Sequence, residues 1–157
     1  MLELGEKAPD FTLYDFDKNE RRLSEFLGKI KNTILAFFPG AFTGTCTKEL
    51  CTFRDSIAEL NKLNAQIIGI SVDSPFANKA FAEKNSLNFL LLSDFSRDIV
   101  KKYGVLWNSL GGVNGYHTAN RAIFILDESG TVIYKWVAEN PSVEPDYEKI
   151  KAQLQKV

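Results

Sequence analysis

Sulfur and imidazole are scarce in this chain. Its 157 residues include two cysteines, one histidine and one methionine. Two cysteines and one histidine fall short of the four ligands of a closed zinc site, and two cysteines cannot staple a scaffold of this length. Charge of one sign is lacking too, since 19 Lys and Arg against 20 Asp and Glu leave a net charge of −1. The sequence therefore offers no basic footprint for nucleic acid and no polybasic patch for an anionic membrane. No apolar run approaches the roughly 18 residues of a membrane span. The start, Met1-Leu2-Glu3-Leu4-Gly5-Glu6-Lys7, lacks the basic-then-apolar order of a secretory signal, so the expected location is cytoplasmic. Nothing in the pattern asks for a cofactor or a resident metal.

What is present suits one globular domain over residues 1–157, with 45% apolar and 25% charged residues. Thr33–Phe38 and Ile67–Val72 are nearly continuous apolar runs, as in strands covered on both faces, and Phe89–Leu92 reads the same way. Arg121–Leu126 and Thr131–Trp136 flank Asp127-Glu128-Ser129-Gly130, a hairpin signal. Cys46, Leu50, Phe53, Ile57 and Leu60 mark one face of a helix from Thr45 to Leu63. Ser74 and Pro75 open a second helix, Ser96–Tyr103 a third that stops at Gly104, and a last one follows Pro145 with Tyr147, Ile150 and Leu154 inward. Residues 104–119 read as a Gly-rich loop. This α/β order fits a thioredoxin-like fold, with a mixed central sheet flanked by helices and an N-terminal extension.

Between the strand ending at Phe38 and the long helix lies Pro39-Gly40-Ala41-Phe42-Thr43-Gly44-Thr45-Cys46. Cys46 falls in the first helical turn, among unpaired N–H groups at the positive end of the dipole. That setting is expected to lower a thiol pKa. A close cysteine pair without further ligands is compatible with redox chemistry, with metal binding, or with two inert buried thiols.

The spacing Pro39-x-x-x-Thr43-x-x-Cys46 resembles the peroxiredoxin signature. Asn120-Arg121-Ala122-Ile123-Phe124-Ile125-Leu126-Asp127 is similar to the family's arginine-bearing strand. Gly5-Glu6-Lys7-Ala8-Pro9-Asp10-Phe11 resembles its start, and Cys46-Thr47-Lys48-Glu49-Leu50-Cys51 its bacterioferritin-comigratory (Q-type) subfamily. The resemblance implies a peroxidatic thiolate at Cys46, a peroxide-positioning hydroxyl at Thr43, a shielding Pro39 and a thiolate-contacting Arg121. It further implies a resolving Cys51, a hydroperoxide substrate, a thioredoxin-like dithiol reductant, and a monomer or small homodimer. Many members carry Pro where this chain has Gly44, which loosens the loop.

The chemistry follows from the residues. A thiolate attacking ROOH sends charge to the distal oxygen, so donors aimed there must supply the acceleration. Arg121, the N–H groups of residues 44–46 and the Thr43 hydroxyl are the candidates. Glu49, one turn from Cys46, is expected to pair with Arg121 or Arg54. Five residues apart on a helix, the Cα atoms of Cys46 and Cys51 lie about 8.6 Å and about 140° apart, beyond the roughly 7 Å a disulfide tolerates. Oxidation is therefore expected to unwind the helix between Thr45 and Thr52. Phe37, Phe38 and Phe42 are expected to form an apolar rim that admits organic peroxides. His117 is expected on the surface, and Trp107 and Trp136 in packing roles. The rival readings are a one-cysteine peroxidase using an external thiol, a copper-binding thioredoxin-fold protein, and a dithiol carrier, although carriers use the shorter C-x-x-C.

Overall fold

Apolar runs that are continuous rather than alternating need cover on both faces, and here they supply the centre of the sheet. In the computed structural model, which describes residues 1–156, the chain opens with β1 (Thr12–Asp15), β2 (Glu20–Arg22) and a short α1 (Leu23–Phe26). There follow β3 (Asn32–Phe37), α2 (Gly44–Asp55), α3 (Ile57–Lys62), β4 (Ala65–Ser71), α4 (Pro75–Lys84), β5 (Leu90–Ser93) and α5 (Asp98–Lys102). The two-residue strands β6 (Leu106–Trp107) and β7 (Thr118–Ala119) come next, then β8 (Ala122–Leu126), β9 (Val132–Val137) and α6 (Tyr147–Leu154). Seven strands form a mixed sheet in the order β2-β1-β5-β4-β3-β8-β9, with β6 and β7 paired apart from it. Strands β3, β4 and β5 are parallel, while β8 runs antiparallel to β3 and β9 antiparallel to β8. This is the expected α/β arrangement, thioredoxin-like, with helices on a mixed sheet.

Successive residues of the central strands enter two cores. Leu35, Phe37 and Phe124 pack with Val100 and Tyr103 on one side. Ile34, Ala36, Phe38, Ile123 and Ile125 pack on the other with Leu50 and Phe53 of α2, Phe81 of α4, and Ile150 and Leu154 of α6. Cys46 belongs to this second core. Burial of a Leu or Phe side chain contributes about 1.5–3 kcal/mol, so Leu50 and Phe53 fix the rotation of α2 and hence the position of Cys46. Gly69 of β4 makes room on the same side. A Cβ there would lie 2.6 Å from Leu91 Cδ2 and 3.2 Å from Phe38 Cε1.

Three expectations are corrected, and the N-terminal extension gains detail. The helix expected from Thr45 to Leu63 is two helices. Ser56 donates its hydroxyl to Thr52 O at 2.9 Å, and its N–H reaches Thr52 O at 3.2 Å and Phe53 O at 3.0 Å. Serine bonding back to a carbonyl four residues earlier bends a helix. The helix expected from Ser96 begins only at Asp98, because Arg97 is left-handed at φ +67°. The N-terminal extension holds a hairpin, β1–β2, on the sheet edge beside β5, its turn tied by the Asp15 carboxylate to the N–H groups of Asp17 and Asn19. The loop over residues 104–119 contains β6, β7 and a 3₁₀ turn at Leu110–Gly112. Among the described residues no helix is long and apolar enough to cross a membrane.

Candidate active site

The segment after β3 is fixed before α2 begins. Phe38 N–H donates to Ile70 O at 3.0 Å, and Ala41 N–H donates to Asp73 Oδ2 at 2.8 Å. Pro39 and Gly40 are buried. Phe42 sits in the left-handed region at φ +66°, uncommon for a bulky side chain, and lays its ring edge-on to Phe81 at 5.3 Å. Thr43 occupies the N-cap with extended backbone, yet its hydroxyl does not cap the helix. It donates instead to Gly40 O at 2.7 Å and borders the Cys46 sulfur. The first N–H groups of α2 are thus left without the usual side-chain cap, at the positive end of the helix.

Cys46, Glu49 and Arg121 meet behind this loop. Arg121 directly precedes β8, and its backbone N–H is held by Asn120 Oδ1 at 2.8 Å. Its Nη2 lies 3.2 Å from Cys46 Sγ, and its Nη1 donates to Glu49 Oε1 at 2.8 Å. Nη2 and Nε also donate to Pro141 O, at 2.7 and 3.2 Å. Cys46 and Glu49 are 0% exposed and Arg121 1%. Among the described residues Glu49 Oε2 has no hydrogen-bond partner. Of the two arginines expected for Glu49, Arg121 takes it. Arg54 instead pairs with Asp55 at 3.0 Å and donates to Asn85 O at 2.6 Å.

Electrostatics corrects one expectation. Burial pushes the Cys46 thiol above its ordinary value, and the pull of Arg121, Thr43 and Gly40 the other way does not overcome it. Burial likewise pushes Glu49 up to about 7 despite Arg121. Burial works against the charge of Arg121, but Cys46 and Glu49 together hold its pKa above the usual value. Position at a helix start favours a thiolate, and desolvation of a fully enclosed sulfur outweighs it.

Cys51 lies elsewhere. It is half-buried on the flank of α2, with Sγ 3.8 Å from Asn85 Oδ1 at the end of α4. Both cysteines are free thiols.

A cavity of about 460 Å³ opens beside the cluster. Pro39, Thr43 and Arg121 line one side of it, and Trp107, Leu110 and Pro141 are also in its wall. The expected phenylalanine rim is absent from it. Phe37 and Phe38 are buried in opposite cores, and Phe42 covers Phe81. Trp107, expected only to pack, lines the cavity, and His117 is exposed. The Pro141 carbonyl was not foreseen, since a backbone acceptor has no side-chain signature. The turn dipeptide Asn140-Pro141 is the one local sign of it. Among the described residues no three His, Cys, Asp or Glu side chains gather as a metal site would require.

Residues 4–135 match the AhpC/TSA family. A chloroplastic peroxiredoxin Q of Populus jackii is 41% identical over 82% of the chain and 57% of its own length. A putative peroxiredoxin bcp of Coxiella burnetii is 37% identical over 92% of both chains. The chain thus spans little more than half the length of the plant relative and nearly all of the bacterial one. The crystal structure of peroxidoxin BcpB from Mycobacterium tuberculosis superposes with a TM-score of 0.85 at 31% identity, covering 99% of this chain and 97% of that one. The chain belongs to the AhpC/TSA family and, within it, groups with the peroxiredoxins of the Q and bcp type.

Proposed function

We propose that the chain is a thiol-dependent peroxidase in which the Cys46 thiolate attacks the near oxygen of a hydroperoxide. The observation that carries this reading is a buried guanidinium, Arg121, with Nη2 3.2 Å from Cys46 Sγ at the edge of an open cavity. The S–O bond forms as the O–O bond breaks. Cys46 is oxidised to a sulfenic acid, and the peroxide leaves as water or an alcohol once its distal oxygen takes a proton. Arg121 and the N–H groups opening α2 stabilise the charge that builds on that oxygen. The Thr43 hydroxyl, its hydrogen on Gly40 O, keeps lone pairs for the substrate O–H. Pro39 shields the sulfur from water. Trp107 and Leu110 offer an apolar wall for the organic part of an alkyl hydroperoxide.

Cys51 then condenses with the sulfenic acid, releasing water and closing a disulfide. Its sulfur meets Asn85 at 3.8 Å, and ideal helix geometry puts the two Cα atoms about 8.6 Å apart. The helix between Thr45 and Thr52 therefore unwinds for the bond to form. A thioredoxin-like dithiol of a reducing compartment, the cytoplasm, restores both thiols, and the working unit is a monomer or small homodimer. The test is one equivalent of hydrogen peroxide on reduced protein, quenched within seconds with an alkylating agent and weighed. Loss of both thiols supports the full cycle. Loss of one with an added oxygen restricts it to a one-cysteine peroxidase, and two intact thiols overturn it.

A further inference from the structure

The cluster at Cys46 contains one permanent cation and two acids. Cys46 and Glu49 stand on the same helix, one turn apart, and each meets a different nitrogen of Arg121, at 3.2 Å and 2.8 Å. All three side chains are excluded from water. A buried cation can balance one anion, and a second anion against it is uncompensated. Glu49 holds that place incompletely, because its Oε2 has no donor among the described residues. A buried carboxylate oxygen without a partner strongly disfavours ionisation. One further charge acts the same way, that of Glu144 in the segment before α6, while Tyr147 on α6 is a neutral neighbour. Glu144 is itself tied to Lys48 at 3.1 Å and to the Tyr147 hydroxyl at 2.7 Å.

We propose that Cys46 and Glu49 share one negative charge across Arg121, so that Glu49 is protonated when Cys46 is a thiolate and ionised when Cys46 is neutral. The exchange is Cys46–SH with Glu49 carboxylate on one side, and Cys46 thiolate with Glu49 carboxylic acid on the other. The proton count also closes over the peroxide step. Thiolate, carboxylic acid and ROOH become sulfenic acid, carboxylate and ROH, with one negative charge before and after. Arg121 keeps a counterion throughout. Burial raises both the Cys46 thiol and the Glu49 carboxyl, and the same Arg121 pulls both down. Glu49 is thus a positioning and charge-balancing residue that acts through Arg121.

Charge sharing is reciprocal. Whatever ionised Glu49 does to the Cys46 pKa, ionised Cys46 does to Glu49. The test titrates both sites in a Cys51→Ser background, where one thiol remains. Thiolate absorbance in the ultraviolet follows Cys46, and the infrared band of a protonated carboxyl, identified by its loss in Glu49→Gln, follows Glu49. Glutamine can still accept from Arg121, so a merely structural role predicts a Cys46 pKa that is unchanged or higher. Charge sharing predicts that Glu49→Gln lowers it by about one unit or more, and that Cys46→Ser lowers the Glu49 midpoint by the same amount. Independent titrations, or shifts upward, overturn the proposal. If Glu49→Gln does not fold, the Cys46→Ser titration decides alone, the Glu49 band then being the protonated-carboxyl band whose midpoint differs between the proteins with and without Cys46. The bearing on catalysis rests on Cys46 being the reacting thiol. The titrations use no peroxide, so protein that titrates as coupled yet reacts slowly with hydrogen peroxide sinks that reading and leaves charge sharing standing.

Discussion

Cys46 and Cys51 share one helix, yet their surroundings have little in common. Cys46 is enclosed, faces the core with Leu50 and Phe53, and touches a buried guanidinium. Cys51 is half-buried, faces an amide at the end of α4, and has Arg54 as its nearby cation. Five residues of helix turn two identical thiols toward different neighbours. In the proposed reading, reactivity is a property of what the helix packs against, and the packing that sets Cys46 against Arg121 sets Cys51 against Asn85.

The largest expected effect breaks the comparison at its reactive end. Cys46→Ser abolishes the rapid reaction with hydrogen peroxide, whereas Cys51→Ser leaves the first oxidation intact, as stopped-flow peroxide consumption would read. Arg121→Lys keeps the charge but loses the fork that reaches Cys46, Glu49 and Pro141 at once. Its second-order rate constant with peroxide should fall by about 10²–10³-fold. Cys51→Ser sharpens the other end: mass spectrometry should find a sulfenic acid that accumulates on Cys46, and turnover with a thioredoxin-type reductant should stop. Trp107→Ala should slow cumene hydroperoxide by about tenfold while leaving hydrogen peroxide unaffected, in parallel stopped-flow traces.

The smallest effect concerns stability and pH. Glu49 is pushed up to about 7 in the fold against 4.5 for the free side chain, so the native state holds more protons than the unfolded chain. Stability from this group is fully present below about pH 4.5 and declines as pH rises to about 7. The difference in urea midpoint between the reduced protein and Glu49→Gln should therefore shift in the variant's favour over that interval.

Much of the fold is legible because the central strands are apolar without interruption and the helices carry spaced apolar faces. The N-terminal hairpin escapes because its strands have only four and three residues and its turn depends on one carboxylate, Asp15. The break at Ser56 escapes because a hydroxyl bond to Thr52 O leaves no trace in apolar periodicity. At the candidate site, the loop spacing and Arg121 stand out, and the structure brings Thr43 and Arg121 to Cys46, with Glu49 on Arg121 and Pro39 in the wall of the adjoining cavity. Two readings go astray for physical reasons. An apolar run such as Phe37-Phe38 says that both rings are buried, and strand alternation then sends them to opposite cores. The thiol pKa depends on how completely water is excluded, which only the packed structure shows.

The Pro141 carbonyl that braces Arg121 has a consequence for the birth of the protein. Arg121 lies 75 residues beyond Cys46, and Pro141 another 20 beyond Arg121. Chains leave the ribosome from the N-terminus, so Cys46 emerges well before either of them. Throughout that interval Cys46 lacks the guanidinium contact on which the proposed peroxidase chemistry depends. On that proposal the growing polypeptide passes through synthesis with this sulfur still inert, and gains its sensitivity only when the last strand and the bend after it have closed.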